Sequence, residues 1–194
     1  MRIATLVGPN KKAYLVRLKN GIATPIGLAN EKPGLDPLRE MLEAGRSPAR
    51  VRPIAKPFAV KGAKHLPPLT APSKIIAIGL NYRNHAEEVG APLPKTPMSW
   101  VKYTSSLVGH NQAIRYRRKD TRRCDYECEL AIVIGRRARD VKKQDALNYV
   151  FGYTACNDVT AREHQFTEGQ FARCKSYDTF TPLGPSIVTA DEIP

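Results

Sequence analysis

Short apolar runs separated by turn-forming residues recur along the chain and predict a protein built mainly from β-strands. RIATLV (residues 2–7) and AYLVRL (13–18) have the length of strands, and Gly8-Pro9-Asn10 between them predicts a turn. Later runs also predict strands, the last one beginning in a turn: KIIAIG (74–79), ELAIVIG (129–135), VFGYTAC (150–156) and PLGPSIV (182–188). The pattern therefore indicates an α+β fold that is mainly β.

Helical spacing is confined to short segments. Residues 36–45 place apolar side chains on one face, with Asp36 at the N-cap position and Gly45 at the end. Two further helices are predicted at residues 83–89, capped by Asn81, and at residues 142–150. No helical run approaches the length of a membrane span, so we expect no membrane partner.

Proline spacing predicts two domains. Residues 47–73 contain six prolines, which is typical of a linker or of a meandering edge. We therefore predict a small N-terminal α+β domain with its linker at residues 1–71 and a larger domain at residues 72–194. Within the larger domain, the polar residues 162–181 predict a loop.

Composition is that of a globular protein, with 42% hydrophobic and 25% charged residues among 194. The first residues form no apolar stretch long enough for a secretory signal, so we expect a cytoplasmic location. The four cysteines fit no strong zinc pattern and are expected to be reduced thiols in that compartment.

A formal charge of +13 raises the alternative of a nucleic-acid binder. The positive residues are spread over residues 46–52, 115–123 and 136–143, and aromatic residues do not interleave with them. Attraction for small acidic substrates, or a solvated surface, explains the charge equally well. We therefore expect no nucleic-acid partner.

Two glutamates lie at the start of the strand predicted over ELAIVIG. Glu127 and Glu129 are two residues apart, so in a strand both side chains point to the same face. That face continues into the core, where unpaired carboxylates are costly and repel each other. Asp158 follows the next strand and is placed to join them. A divalent cation bound by oxygen ligands, Mg²⁺ or alternatively Mn²⁺ or Ca²⁺, would remove both costs. A solvated face of an amphipathic strand is the alternative.

Long motifs of residues 72–194 resemble the fumarylacetoacetate hydrolase superfamily, and their order is the family's. GLNYRNHAEE (79–88) is similar to G-x-N-Y-x-x-H-x-x-E, DYECELAIVIG (125–135) to D-Y-E-x-E-L-x-x-V-I-G, GYTACNDVTAREHQ (152–165) to G-Y-x-x-x-N-D-x-[ST]-x-R-x-x-Q, and KSYD with PLGP (175–178, 182–185) to K-S-x-D…P-L-G-P. Residues 1–70 resemble, more weakly, the small N-terminal domain of bacterial-type members.

This resemblance implies a mixed β-sandwich or β-roll with a metal site at its mouth, and a homodimer. It implies cleavage of a C–C bond in an acylpyruvate or diketo acid, with decarboxylation, isomerisation or lyase chemistry on related 2-oxo acids as alternatives. Roles are carried over by motif position. Metal ligands are Glu127, Glu129 and Asp158; catalytic residues are His85, Glu88 and Lys175; substrate contacts are Tyr82, Arg83, Lys102, Gln165 and Lys175.

The residues support these roles on chemical grounds. His85 and Glu88 are three apart on a predicted helix and share a face, so the carboxylate can orient the imidazole and raise its basicity. Lys175 can stabilise a developing oxyanion or enolate. For each of these residues taken alone, an ordinary surface position is the alternative.

The chain departs from the family pattern in three places. Cys174 stands where glycine is frequent, and Trp100-Val101-Lys102-Tyr103 stands where the family often has Phe-x-Lys-Pro. Family members also continue beyond PLGP with further strands and a G-T-P loop. We therefore expect either a fragment or completion by a second chain, with poor solubility or no activity alone because strand edges stay unpaired. An inactive metal-binding fragment is the corresponding alternative.

Overall fold

The computed structural model describes residues 1–29 and 36–193, so residues 30–35 and Pro194 of the two predicted domains lie outside it. The strands are β1 (Arg2–Val7), β2 (Ala13–Lys19), β3 (Ile22–Ala29), β4 (Phe58–Ala59), β5 (His65–Leu66), β6 (Ile76–Gly79), β7 (Met98–Val101), β8 (Leu107–Gly109), β9 (Cys124–Asp125), β10 (Cys128–Ile134), β11 (Val150–Asn157), β12 (Thr160–Ala161) and β13 (Thr181–Thr189). The α-helices are α1 (Pro37–Glu43), α2 (Arg83–Glu88), α3 (Arg162–Thr167) and α4 (Phe171–Cys174), and 3₁₀ turns cover Pro48–Arg50, Thr104–Ser106, Lys143–Tyr149 and Ala190–Glu192.

Nine of the described strands form one mixed sheet. Its main path runs β10-β11-β13-β1-β2-β3-β4, with β5 paired to β1 and β8 paired in parallel to β13. Strand β1 joins the two ends of the chain, because Arg2 pairs with Val188 and Ile3 with Ile187. Strands from both predicted domains therefore lie in a single sheet. The sheet-rich α+β class is confirmed.

Apolar side chains on one face of this sheet bury α1. Ile3, Leu15, Ile26 and Ile187 are at most 1% exposed and form a cluster that also contains Leu38 of the helix. The helix starts as predicted, since the Asp36 carboxylate accepts hydrogen bonds from two backbone N–H groups of the first turn, both at 3.0 Å. This packing holds the N-terminal strands against β13 and so against the strands that carry the carboxylates.

Several predicted elements differ in the structure. Residues 162–181 are not simply a loop, because they contain α3 and α4. The prediction that Asn81 caps α2 is wrong, since the N-cap position is Tyr82 and no side chain bonds there. The helix predicted at residues 142–150 is a 3₁₀ segment that buries none of its residues, so no packing favours an α-helix. The strands that lie outside the predicted runs are β3, β4, β5, β7, β8, β9 and β12.

Strand β10 lies at one end of the sheet path and has two unlike faces. Val133 is buried and Glu129 is partly buried on the inner face. On the outer face Leu130, Ile132 and Ile134 are between 54% and 57% exposed. Unpaired backbone groups and exposed aliphatic side chains together make this edge prone to association. In residues 1–29 and 36–193, no helix is long and apolar enough to cross a membrane.

Candidate active site

The carboxylates meet where β10 begins and β11 ends. The ladder continues past both strands, because the Asp158 N–H donates to the Glu127 carbonyl at 2.9 Å. The Glu127 N–H in turn donates to the Asn157 side-chain oxygen at 3.1 Å. Exposure alternates along this stretch: Glu127 and Glu129 are partly buried, whereas Tyr126 and Leu130 are exposed. The predicted common face of the two glutamates thus follows from strand geometry.

Two buried lysines lie against Asp158. Lys175 is 1% exposed, and its Nζ donates to Asp158 Oδ2 at 2.8 Å and to Glu127 Oε2 at 2.9 Å. Lys102 is 2% exposed, and its Nζ donates to Asp158 Oδ1 and to the backbone carbonyls of Lys175 and Phe180. Both oxygens of the Asp158 carboxylate therefore accept from an ammonium group. Burial lowers the pKa of Lys102, and the adjacent Asp158 opposes that shift.

Glu129 shares the electrostatic environment of the other two predicted ligands. Burial raises the pKa of Glu129, and the negative charges of Glu127 and Asp158 raise it further. Lys175 and His85 act in the opposite direction. The cross-strand neighbour of Glu129 is Cys156, and burial raises the pKa of its thiol to about 12, so it stays protonated. The three carboxylates therefore influence one another across a partly desolvated site.

The predicted dyad lies on α2 with both side chains exposed. His85 Nδ1 is 3.6 Å from Glu88 Oε2, and the two side chains are 55% and 79% exposed. His85 is close enough to Glu129 to influence its ionisation. Tyr82 and Arg83, predicted to contact substrate, stand at the start of α2 with exposed side chains. The predicted dyad is therefore exposed to solvent and not buried.

Arg162 contacts the carboxylate cluster, and the sequence motifs did not assign it a role. Its guanidinium lies 2.7 Å from Glu127 Oε1 and 2.9 Å from Asp125 Oδ2, and its Nη1 donates to Gln165 Oε1 at 2.8 Å. The bond from Arg162 lowers the pKa of Asp125. A usable signal was present in the sequence, because Arg162 occupies the arginine position of the motif N-D-x-[ST]-x-R-x-x-Q, three residues before Gln165. By accepting from Arg162, the Gln165 amide oxygen is oriented and its NH₂ group is directed elsewhere.

Aromatic rings cover the lysine side of the cluster. The Lys175 Nζ is 5.2 Å from the centroid of the Trp100 ring, a cation–π distance. Trp100 also meets Phe171 of α4 edge-to-face, with ring centroids 5.2 Å apart. The indole Nε1 is buried and has no hydrogen-bond partner among the described residues. The departure from the family pattern at position 100 therefore lies directly beside Lys175.

A surface depression of about 250 Å³ is lined by residues that include His110, Tyr126, Cys128 and Ala155. Cys128 precedes Glu129 in β10 and so faces the opposite side of the sheet. Cys156 and Asn157 also line the depression, so it lies beside the strand ends that carry the cluster, although none of the three carboxylates lines it.

The basic loop that precedes β9 is anchored to α3 by Glu163. Thr121 Oγ1 donates to the Glu163 carboxylate at 2.6 Å, and the Arg122 N–H donates to it at 2.7 Å. These bonds, the Thr121 hydroxyl first, lower the pKa of Glu163 from 4.5 to about 2. A depressed folded-state pKa stabilises the fold above pH 4.5, and this contribution is lost as the pH falls toward 2.

We expect Thr121→Val to raise the pKa of Glu163 toward its ordinary value, because the hydroxyl donor is lost while the side-chain shape is kept. The stabilising effect of this carboxylate should then disappear at higher pH. An NMR titration of the Glu163 carboxyl group would measure the shift. Thr167→Val is the matched control, since Thr167 Oγ1 donates only to the Glu163 backbone carbonyl. An unchanged titration in Thr121→Val would contradict the assignment.

The donor chemistry of Glu127, Glu129 and Asp158 suits a hard divalent cation, since all three are carboxylates. The arrangement in this structure is centred on an ammonium group instead, because Lys175 Nζ lies between Glu127 and Asp158. Accordingly, among residues 1–29 and 36–193, no group of three or more His, Cys, Asp or Glu side chains is positioned to hold a metal ion. The residue types fit a metal site, and the lysine occupies the position between two of them.

Comparison with known proteins identifies the family. A family signature described as fumarylacetoacetate (FAA) hydrolase C-terminal matches residues 74–194, more than half of the chain. The chain belongs to the fumarylacetoacetate hydrolase family. The resemblance deduced from the motifs is thereby confirmed. Relatives with functional names include hydrolases, isomerases and a tautomerase.

Three relatives of the fumarylacetoacetate hydrolase family illustrate this similarity. The mitochondrial oxaloacetate tautomerase fahd2 of Xenopus laevis is 39% identical over 163 residues, which are 80% of this chain and 51% of that protein. The fumarylacetoacetate hydrolase of psychrophilic Exiguobacterium antarcticum is 31% identical with a TM-score of 0.80, covering 100% of this chain and 69% of that one. Maleylpyruvate hydrolase from Sphingobium sp. SYK-6, solved with manganese(II) and pyruvate, is 25% identical with a TM-score of 0.73, covering 100% and 69%. The chain spans about half the length of the curated relatives it matches.

Proposed function

We propose that this chain carries the active site of a metal-dependent enzyme that hydrolyses a C–C bond in an acylpyruvate or similar diketo acid. One observation carries the proposal. A buried ammonium, Lys175, lies between Glu127 and Asp158, while an exposed histidine, His85, acts electrostatically on Glu129. A base and a cation at one carboxylate cluster are what enolate chemistry requires.

His85 is the proposed general base. Glu88, 3.6 Å from its Nδ1, orients the ring and stabilises the imidazolium that forms. An exposed position gives His85 access to water and to a substrate arriving from solvent. His85 takes one proton from water, and the resulting hydroxide attacks the carbonyl carbon distal to the carboxylate.

Lys175 and Gln165 hold the substrate, through a positive charge and through amide hydrogens. Lys175 stabilises the negative oxygen of the enolate that forms. Gln165, oriented by Arg162, directs its NH₂ group toward a substrate oxygen. A divalent cation held by Glu127, Glu129 and Asp158 would supply Lewis-acid polarisation of the 2-oxo group.

Bonds and charges balance in the proposed reaction. The water oxygen forms a bond to the distal carbonyl carbon, and the C–C bond between that carbon and C3 of the pyruvyl part breaks. The electron pair passes to C3 as an enolate, and the proton taken by His85 is returned to C3. The products are pyruvate and a carboxylic acid.

Keto–enol tautomerisation of a 2-oxo dicarboxylic acid is a second candidate. Its support is the 39% identity to the oxaloacetate tautomerase of Xenopus laevis. The same residues suffice: His85 moves a proton between C3 and the oxygen, and Lys175 stabilises the enolate. No bond between carbon atoms breaks in this case, so product analysis separates the two reactions.

Turnover of acetylpyruvate and of oxaloacetate in Mg²⁺ or Mn²⁺ tests the proposal. In protein that releases pyruvate from acetylpyruvate, alone or completed by a second chain, we expect His85→Gln and Lys175→Met each to lower kcat by about 10²-fold or more. Glu87→Gln is the matched control on α2, since Glu87 is exposed and precedes the dyad carboxylate. Enol-to-keto conversion of oxaloacetate without pyruvate release from acetylpyruvate would favour the tautomerase. Wild-type rates in both site variants would refute both assignments.

A further inference from the structure

The centre of the site is an ammonium group with every donor engaged. Lys175 Nζ donates to Glu127 Oε2 at 2.9 Å, Asp158 Oδ2 at 2.8 Å and Thr160 Oγ1 at 2.9 Å. An ammonium has three hydrogens, so these bonds use all of them. Two of the acceptors are the carboxylates proposed to bind the metal. A cation bound to those oxygens is repelled by the ammonium unless the ammonium leaves them.

We propose that Lys175 is an exchangeable counter-ion: a divalent cation and its ammonium compete for Glu127 and Asp158, and binding of the cation releases the ammonium toward the substrate. The inference rests on the ligand set of the proposed function. Lys175 is then both the internal competitor of the metal and the group that metal binding frees to contact the substrate. Metal affinity and the position of Lys175 are then linked.

The hydrogen-bond partners distinguish Lys175 from Lys102. Lys102 Nζ is bound to two backbone carbonyls, those of Lys175 and Phe180, in addition to Asp158. Backbone acceptors are held by the fold, so Lys102 remains a fixed anchor of Asp158. Lys175 Nζ is bound by side chains alone. Because Lys102 Nζ donates to the Lys175 carbonyl, the Lys175 backbone stays in place while the Lys175 side chain moves.

Trp100 provides a contact for the released ammonium. Its ring centroid is 5.2 Å from Lys175 Nζ in this structure, and the ring does not compete with a metal ion for carboxylate oxygens. Tryptophan attracts an ammonium more strongly than phenylalanine does. Trp100 is also the only tryptophan of the sequence. Its fluorescence therefore reports selectively on the surroundings of Lys175.

Titration with Mg²⁺ tests the exchange without any substrate. Calorimetry and Trp100 emission would be followed in the wild-type chain and in Lys175→Met, Lys175→Arg and Lys95→Met. Loss of the competing charge should tighten Mg²⁺ binding by about tenfold or more in Lys175→Met. Lys175→Arg keeps the charge, and Lys95→Met removes a charge at an exposed position. Both should bind Mg²⁺ like the wild type, and the emission shift of the wild type should be absent in Lys175→Met.

The unfolding midpoint of each variant, measured with and without Mg²⁺, shows whether the variant folds. If Lys175→Met is poorly folded alone, the exchange predicts that Mg²⁺ raises its midpoint more than that of the wild type. Equal or weaker Mg²⁺ affinity in Lys175→Met would overturn the inference, as would tighter binding in Lys175→Arg. Absence of Mg²⁺ binding in every protein would overturn it together with the ligand set. Loss of the proposed turnover with the affinity gain intact would leave the exchange standing.

Discussion

Asp158→Asn should lower the free energy of unfolding by about 3–5 kcal/mol, the range found when one partner of a buried ion pair is removed. Asp158 is 5% exposed, and its two ammonium partners, Lys102 and Lys175, are 2% and 1% exposed. Asparagine keeps the size of the side chain but removes the charge that compensates both. Lys102 is affected most, since Asp158 is its one carboxylate partner among residues 1–29 and 36–193. Equilibrium unfolding in urea would measure the change.

Two further variants test this explanation. Asp140→Asn is the control, because Asp140 is 91% exposed beside Arg139, and we expect a change within about 0.5 kcal/mol. Adding Lys102→Met to Asp158→Asn should recover part of the loss, since one uncompensated ammonium is then removed. A loss below about 1 kcal/mol in Asp158→Asn would show that the buried network does not support the fold.

Gly152→Ala should destabilise the chain by about 3 kcal/mol, at the upper end for overpacking in a core. A Cβ built on Gly152 would lie 2.2 Å from the Val188 carbonyl oxygen and 2.9 Å from the Thr189 Cα. Those atoms belong to the backbone of β13, which pairs with β11 at this point. The clash with these backbone atoms is relieved only if β11 and β13 separate, because rotating a side chain does not move the backbone.

Gly169→Ala is the matched control for this substitution. A Cβ at Gly169 would meet nothing within 4 Å. We expect a change within about 0.5 kcal/mol, or a small gain from the lower entropy of the unfolded chain. Thermal or urea unfolding of both variants would measure their free energies of unfolding. Similar stabilities for the two alanine variants would contradict close packing of β11 on β13.

Local sequence pattern was sufficient for the strand that carries the carboxylates. The run from Glu129 to Gly135 was predicted as a strand, and β10 covers Cys128–Ile134 with alternating exposure. The common face of Glu127 and Glu129 needs only the two-residue repeat of a strand, which operates within one element. The family motifs are local in the same sense, and the family they indicate is confirmed.

Tertiary packing, and not the local sequence pattern, decided that Lys102 and Lys175 are buried. A lysine read from sequence is expected at the surface. Lys102 and Lys175 are buried because β7, the turn after β11 and the segment after α4 converge on Asp158. The bond between Arg162 and Glu127 likewise joins residues 35 positions apart in the chain. Such contacts depend on how strands and loops pack, so the assigned ligand and substrate roles of these residues stay predictions.

The sequence by itself determined the family, through the resemblance of several motifs in order, and the sheet-rich α+β class, through several short apolar runs. It also determined the face on which the glutamates lie, because that face follows from spacing within one strand. Only the tertiary structure decided that β1 pairs with β13 across the chain, that residues 162–181 contain two short helices, and that an ammonium lies between Glu127 and Asp158. Helices of six and four residues are too short to form on propensity alone and depend on packing, such as that of Phe171 on Trp100. Pairing between distant strands and burial of charge are properties of the assembled fold, where residues remote in sequence share one environment.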